Sequence, residues 1–172
     1  MTKLNSLQDL FTVGIVDIYD AEKQILIAIP KMIRMAGHRT LRAILESHLE
    51  ETSDQVERLE QAMDILDLRP ETRFSAPMQS ILKEGMDLLE ASASPAVLNA
   101  ACITAAHMIE QYEVGAYGML AASCRMLEYR PEVFSLLSAS EQEERDADAN
   151  LLELAGAGIF AEAMGLVRLD SD

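Results

Sequence analysis

Basic residues are scarce in this chain. Among its 172 residues, 14 Lys and Arg stand against 29 Asp and Glu, a formal charge of −15 at pH 7. Nucleic-acid phosphates and anionic lipid headgroups select basic surfaces, which argues against both as partners. Glycine and proline are also few, 8 and 5, too few for a turn-rich β-sandwich. No stretch approaches the eighteen or so uncharged apolar residues that span a bilayer. The opening MTKLNSLQDLF lacks the apolar core and small-residue cleavage site of a secretory signal. A cytoplasmic protein of bacterial type is therefore the expectation. The 2 cysteines, Cys102 and Cys124, fall in what reads as one helix. At about 1.5 Å of rise per residue they lie roughly 33 Å apart, beyond disulfide reach within the chain. Neither belongs to a CxxC pair, so both read as buried packing thiols. The 3 histidines are too scattered for a zinc finger.

What is present is apolar material in helical register. Hydrophobic residues make up 49% of the chain and charged residues 25%, enough for a real core in one domain. Phe11, Ile15, Ile18, Tyr19, Ile25, Leu26 and Ile29 recur at spacings of three and four, and Gly37 ends that run. A second run passes through Leu41, Ile44, Leu45, Val56, Leu59, Met63 and Leu66 and stops before Pro70. Glu71 to Pro77 reads as a connection and Met78 to Leu89 as a short helix. Ser94-Pro95 reads as an N-cap followed by a first-turn proline, opening a run to Leu127. Pro131 opens the last run, to about Ala155. Beyond it Gly156 and Gly158 loosen the tail, and LVRLDSD is expected to fray.

These signals predict an all-α four-helix bundle with long helices over about 5–36, 39–67, 95–127 and 131–155. Short links make each of the two helix pairs an antiparallel hairpin. The segment 68–94, with its short helix, is long enough to cross the bundle, which is the ferritin-like arrangement. Residues 1–172 then form a single ferritin-like domain.

Carboxylates stand where apolar residues belong. Glu22 has Ile15, Ile18, Tyr19, Ile25, Leu26 and Ile29 as its helical neighbours, so its side chain should be buried. A lone buried carboxylate costs several kcal/mol unless a partner compensates it. A buried salt bridge, a protonated carboxyl and a metal ligand all answer that demand. The second helix carries His48 and Glu51 one turn apart, the third Glu110 and Glu113, and the fourth Glu144 and Asp148. Taken singly, each segment is explained by a solvated acidic face; height separates the readings. Glu22 lies 15 residues before Gly37 and Glu51 lies 14 after it, roughly 22 and 21 Å from that turn. Counted from Tyr129, Glu113 is 16 residues before and Glu144 is 15 after, while Glu110 and Asp148 are each 19 away. All four helices thus bring acids to one mid-bundle layer. Such a layer repels itself unless neutralised, and two divalent cations would do so. Carboxylates with one imidazole suit iron or manganese better than softer metals. By the same count Glu50, Asp54, Glu143 and Asp146 point away and read as solvated. His107 is read as packed or exposed ahead of a ligand role.

The segments LFTVGIVDIYDAEKQI with IPK, HLEETSDQVERL, AAHMIEQYEVGAYG and EERDADANLLELA resemble the YciE/YciF family of ferritin-like bacterial proteins over nearly the whole chain. The resemblance implies a ferritin-like bundle with a candidate two-metal centre, a homodimer, and a role in stress response. It carries Glu22, His48, Glu51, Glu110, Glu113, Glu144 and Asp148 over as metal ligands. Two departures stand out. Gln111 occupies a place where relatives often have histidine. Ala147, three residues after Glu144, replaces the histidine of an E-x-x-H motif.

The leading expectation is a dinuclear non-haem metalloprotein holding iron, with manganese the alternative, and acting on dioxygen or peroxide. Glu51 and Glu144 would bridge, Glu22, Glu113 and His48 would be terminal, and Glu110 and Asp148 would complete the set. Its chemistry would be ferroxidase-, oxidase-, peroxidase- or catalase-like. Two alternatives remain. One is a non-catalytic helical stress or interaction protein with a structural metal. The other has no metal, its acids being paired to Lys23, Arg58 or Arg145.

Overall fold

Helix boundaries follow from side chains at the ends. In the computed structural model, which describes residues 3–69 and 73–166, the Ser6 hydroxyl accepts from the Asp9 backbone N–H at 3.0 Å and opens α1, Leu7–Met35. Residues 36–38 turn the chain into α2, Arg39–Ile65. The Asn99 side-chain oxygen accepts from the Gly37 and His38 backbone N–H groups at 2.9 and 3.1 Å, fastening this turn to a neighbouring helix. Next come α3, Ala76–Ala91, and α4, Pro95–Met126, whose first turn is capped by the Ser94 hydroxyl. Residues 127–130 lead to α5, Pro131–Leu154. The chain then passes through a widened turn at Ala155–Ile159 into a short α6, Phe160–Ala163. Gly158 has φ 132° there, a conformation open to glycine and strained for any other residue.

The packing is a ring. Helix α1 lies against α2, α2 against α5, α5 against α4, and α4 against α1, with α3 laid outside on α4 and α1. Two antiparallel hairpins joined by a long crossover form a ferritin-like bundle. Among the described residues every regular element is helical. The core runs along the axis from Phe11 and Val133 at one end, through Ile18, Ile25, Ile109 and Leu151, to Met32 and Leu41 at the other. At Gly85 the outer helix approaches α4 so closely that an added Cβ would stand 2.9 Å from the Ala105 Cβ. Glycine there is a packing requirement.

Some details differ from expectation. Helix α3 starts at Ala76, because Pro77 sits comfortably in a first helical turn and does not have to precede it. The expected connection at Glu71–Pro77 falls partly outside the described residues (Glu71 and Thr72). The expected fraying over Leu166–Asp172 falls, apart from Leu166, outside them as well. Cys102 and Cys124 are buried free thiols, and burial pushes the Cys102 thiol up to about 12.

Candidate metal centre

Each long helix contributes its inward stripe to one polar layer inside the apolar core. On α1 the stripe Ile15, Ile18, Glu22, Ile25, Ile29 is buried throughout, so the Glu22 carboxylate is shielded from bulk solvent. On α2 the stripe runs Leu41, Leu45, His48, Thr52, Gln55, Leu59, Ala62. Helix α4 supplies Glu110, Glu113 and Tyr117, and α5 supplies Glu144. All of these polar side chains are buried.

One ligand-type atom from each of His48, Glu110, Glu113 and Glu144 lies within 4.8 Å of all the others. His48 Nδ1 is 3.3 Å from Glu110 Oε1 and 3.9 Å from Glu144 Oε2, and its Nε2 is 3.8 Å from Glu113 Oε2. Glu22 adjoins this group beside Glu113, as Glu110 lies beside Glu144. Burial is the main influence on the protons here. It lifts Glu22 from its ordinary 4.5 to about 8, helped by the Glu144 charge and opposed by the adjoining Glu113 carboxyl and the Tyr117 hydroxyl. Glu110 and Glu113 are raised well above the usual carboxylate range, by burial first and neighbouring carboxylates second. Burial pushes the His48 imidazole down, toward its neutral, ligand-competent form, against the opposing pull of Glu144.

The layer is short of hydrogen bonds. Glu22 Oε2, both ring nitrogens of His48, Gln55 Oε1, Glu110 Oε2, both oxygens of Glu113 and Glu144 Oε2 are buried without a hydrogen-bond partner. Native interiors leave few polar groups in this state. Among the described residues no Lys or Arg forms an ion pair with any of these four glutamates. Arg58 pairs with Glu143, Arg145 with Glu141, and Lys23 lies over the Tyr19 ring. A donor set of carboxylate oxygens with one imidazole, unclaimed by protein donors, suits hard or borderline divalent cations.

Two of the residues singled out in the sequence stand beside this group. Glu51 is half-buried, one position off the inward stripe of α2. It accepts from the Ser47 hydroxyl at 3.2 Å and lines a cleft of about 320 Å³ between α2 and α5, with Glu143 and Asp146. Asp148 lies further along α5, where His107 Nδ1 contacts Oδ1 and the Gln111 amide donates to Oδ2 at 2.7 Å. His107 thus holds an acid of the layer's edge, a supporting role that its sequence position, three before Glu110, ranks behind a packed or exposed histidine. Gln55, one turn beyond Glu51 in the sequence, is not among the expected ligands, and the Arg58–Glu143 pair is not foreseen. A polar amide on the α2 stripe was the available signal for Gln55. Glu143, expected to be solvated, accepts both prongs of the Arg58 guanidinium at 2.5 and 2.6 Å.

Comparison with known proteins agrees with this architecture. Residues 6–164 match the family model described as a domain of unknown function, DUF892. The chain belongs to the DUF892 family. Protein YciF of Escherichia coli strain K12 is 32% identical over 153 residues, spanning 88% of this chain and 92% of YciF. The crystal structure of the E. coli stress protein YciF superposes with a TM-score of 0.87 at 31% identity, covering 92% of this chain and 99% of that one. YcfI of Rhodopseudomonas palustris, proposed to be a structural protein, gives 0.84 at 35% identity over 87% of this chain and 95% of its own. This DUF892 chain is therefore YciF-like in sequence and in fold, with a buried histidine–glutamate cluster at mid-bundle.

Proposed function

We propose that this chain is a stress-response protein of YciF type that holds two divalent metal ions, iron ahead of manganese, in the mid-bundle layer. The observation carrying this reading is the set of buried, unpartnered oxygens and nitrogens on Glu22, His48, Glu110, Glu113 and Glu144, with no Lys or Arg among the described residues paired to those acids. An isolated buried carboxylate costs several kcal/mol, and four of them on three helices are hard to retain unless something cationic compensates them. Glu51, whose carboxyl feels the Glu144 charge, and Asp148, whose charge acts on Glu110, would complete the coordination.

When bound, such a pair of redox-active ions supplies reduction of dioxygen or peroxide, the oxidase, ferroxidase, peroxidase or catalase class of reaction. The chain's own residues do the rest. His48 in its neutral form offers a ring nitrogen. The Ile18, Ile25, Ile109 and Leu151 side chains of the surrounding core exclude bulk water. Tyr117 and Gln55 orient individual carboxylates by hydrogen bonds to single oxygens.

Metal analysis of protein purified without chelator, joined to anomalous-scattering maps at the iron and manganese edges, tests the reading. Two ions within the layer are expected. The double variant Glu22→Ala, Glu144→Ala is expected to lose stoichiometric loading, and unchanged loading would refute this ligand set. The proposed structural role of YcfI favours one other reading, a non-catalytic helical protein in which the ions only clamp the helices. Peroxide or dioxygen consumption by the iron- or manganese-loaded protein separates the two.

A further inference from the structure

The four buried glutamates are not equivalent. Tyr117 donates its hydroxyl proton to Glu22 Oε1 at 2.6 Å, which leaves Glu22 Oε2 as the unclaimed oxygen. The Gln55 amide Nε2 donates to Glu144 Oε1, which leaves Glu144 Oε2 unclaimed. The direction of this amide is fixed by its surroundings. The same Nε2 also donates to Glu143 Oε2 at 3.2 Å, and Arg58 in turn grips Glu143. A carbonyl oxygen in that place would face two carboxylates. Glu110 Oε2 is buried without a partner, and its Oε1 lies 3.3 Å from His48 Nδ1 with no hydrogen bond between them. Glu113 differs from the other three in keeping both oxygens buried and free of any hydrogen-bond donor.

A carboxylate that spans two cations uses both of its oxygens. An oxygen already accepting a strong hydrogen bond is turned toward its donor and is less basic toward a cation. We propose that Gln55 and Tyr117 are positioning residues that set the ligand roles. They confine Glu144 and Glu22 to one oxygen each and leave Glu113 as the carboxylate that spans the two ions. The inference rests on the metal reading above and deepens it, because the expectation from the sequence made Glu51 and Glu144 the bridges. Glu51 is tied to Ser47 at the rim of the cleft, and Glu144 has one oxygen held by Gln55. The two clamps come from different helices than the acids they hold: α2 clamps α5, and α4 clamps α1. Ligand orientation is thereby tied to the packing of the whole ring.

The test is anaerobic titration of the full chain with manganese(II), reading bound ions per chain by equilibrium dialysis and exchange coupling by electron paramagnetic resonance. Wild-type protein is expected to bind two ions with the spectrum of a coupled pair. Glu113→Gln should lose the coupling. So should Glu113→Asp, which keeps the charge and both oxygens but withdraws them by one methylene. Gln55→Leu and Tyr117→Phe should keep two coupled ions, with affinity for one of them weakened about 10- to 100-fold. A far-ultraviolet circular dichroism spectrum matching wild type shows that each variant is folded. A coupled pair surviving in both Glu113 variants would overturn the role given to Glu113. Affinities within twofold of wild type in Gln55→Leu and Tyr117→Phe would overturn the clamps. Wild-type protein that binds no manganese would instead overturn the underlying metal reading, so the two failures are told apart.

Discussion

Helix α1 takes part in two acidic clusters only a few residues apart, and they are built on opposite principles. At Asp17 and Asp20 every contact is answered by the protein. Arg73 Nε donates to Asp17 Oδ1 at 3.0 Å, and the Tyr112 and Ser75 hydroxyls donate to Oδ2 at 2.7 and 3.0 Å. Asp20 Oδ2 accepts from the Ser75 backbone N–H at 2.8 Å and from the Gln24 amide at 2.6 Å. This cluster pins the end of the crossover onto α1. Around Glu22, deeper in the bundle, the acids face one another and most of their oxygens have no donor. The first cluster is complete as a piece of protein structure. The second leaves oxygens of its buried acids without protein partners, and that difference separates a structural acidic cluster from a candidate site.

The largest effect expected from this contrast comes from loading the ions. Binding to the native state alone stabilises by about 3 kcal/mol per ion when free metal exceeds its dissociation constant a hundredfold. Chemical denaturation with and without manganese(II) should show that gain in wild type and in Asp17→Ala, and lose it in the Glu22→Ala, Glu144→Ala double variant. An equal gain in the double variant would break the contrast. Next in size is a substitution that should stabilise. Without metal, Glu113→Met replaces a buried carboxyl with an apolar group of similar shape and should raise stability by about 1–4 kcal/mol. Asp17→Ala should do the reverse, lowering it by about 1–3 kcal/mol as Arg73 and the hydroxyls lose their acceptor. Like signs for the two would mean that the clusters are built alike.

The clusters should also differ in their response to pH. In metal-free protein Glu22 titrates near 8 against an ordinary 4.5, and Glu110 and Glu113 move in the same direction. The native state then holds more protons than the unfolded chain across that window, so stability falls as pH rises through it. His48 acts in the opposite sense. Its lowered value leaves the unfolded chain more protonated below its ordinary 6.5, a contribution that grows as pH rises to that point. Three carboxyls against one imidazole give a net fall between about 5 and 8. With manganese(II) present the slope should reverse, because ions compete with protons for the same oxygens. Thermal melts at pH 5.5 and 8, with and without metal, check both signs.

The sequence carried the fold well because its signals are local: stripes at spacings of three and four, and Ser94 ahead of Pro95. Glu22 was legible for the same reason, as a charge set among isoleucines on one helix face. What a single helix cannot reveal is which neighbour it meets. His48 and Glu51 both stood out by spacing, yet the stripe Leu45, His48, Thr52, Gln55, Leu59 carries the inward face, and Glu51 falls one step aside. Gln55 lies on that same stripe, but an amide is a weak signal for a buried role, because amides are common on solvated faces too. His107 with Asp148, and Arg58 with Glu143, are contacts between helices distant in sequence. Counting residues from a turn gives a level along the bundle but no rotation about the helix axis.

The smallest expected effect probes how redundantly the outer cluster is satisfied. Ser75 is fully buried, and its hydroxyl meets both Asp17 and the Tyr112 hydroxyl. Removing it in Ser75→Ala leaves Asp17 Oδ2 with the Tyr112 donor at 2.7 Å and Asp17 Oδ1 with Arg73. The backbone N–H of residue 75 still reaches Asp20. No acid is orphaned, so the loss should be about 0.5–1.5 kcal/mol, the ordinary net value of one hydrogen bond. Manganese loading should be unchanged, because the hydroxyl donates to none of the five side chains of the inner layer. Gln55→Leu is the matching deletion inside that layer. It strips Glu144 Oε1 of its Gln55 donor, and should therefore weaken ion binding where Ser75→Ala does not. Denaturation and metal titration of the two variants side by side measure how far each cluster depends on a single donor.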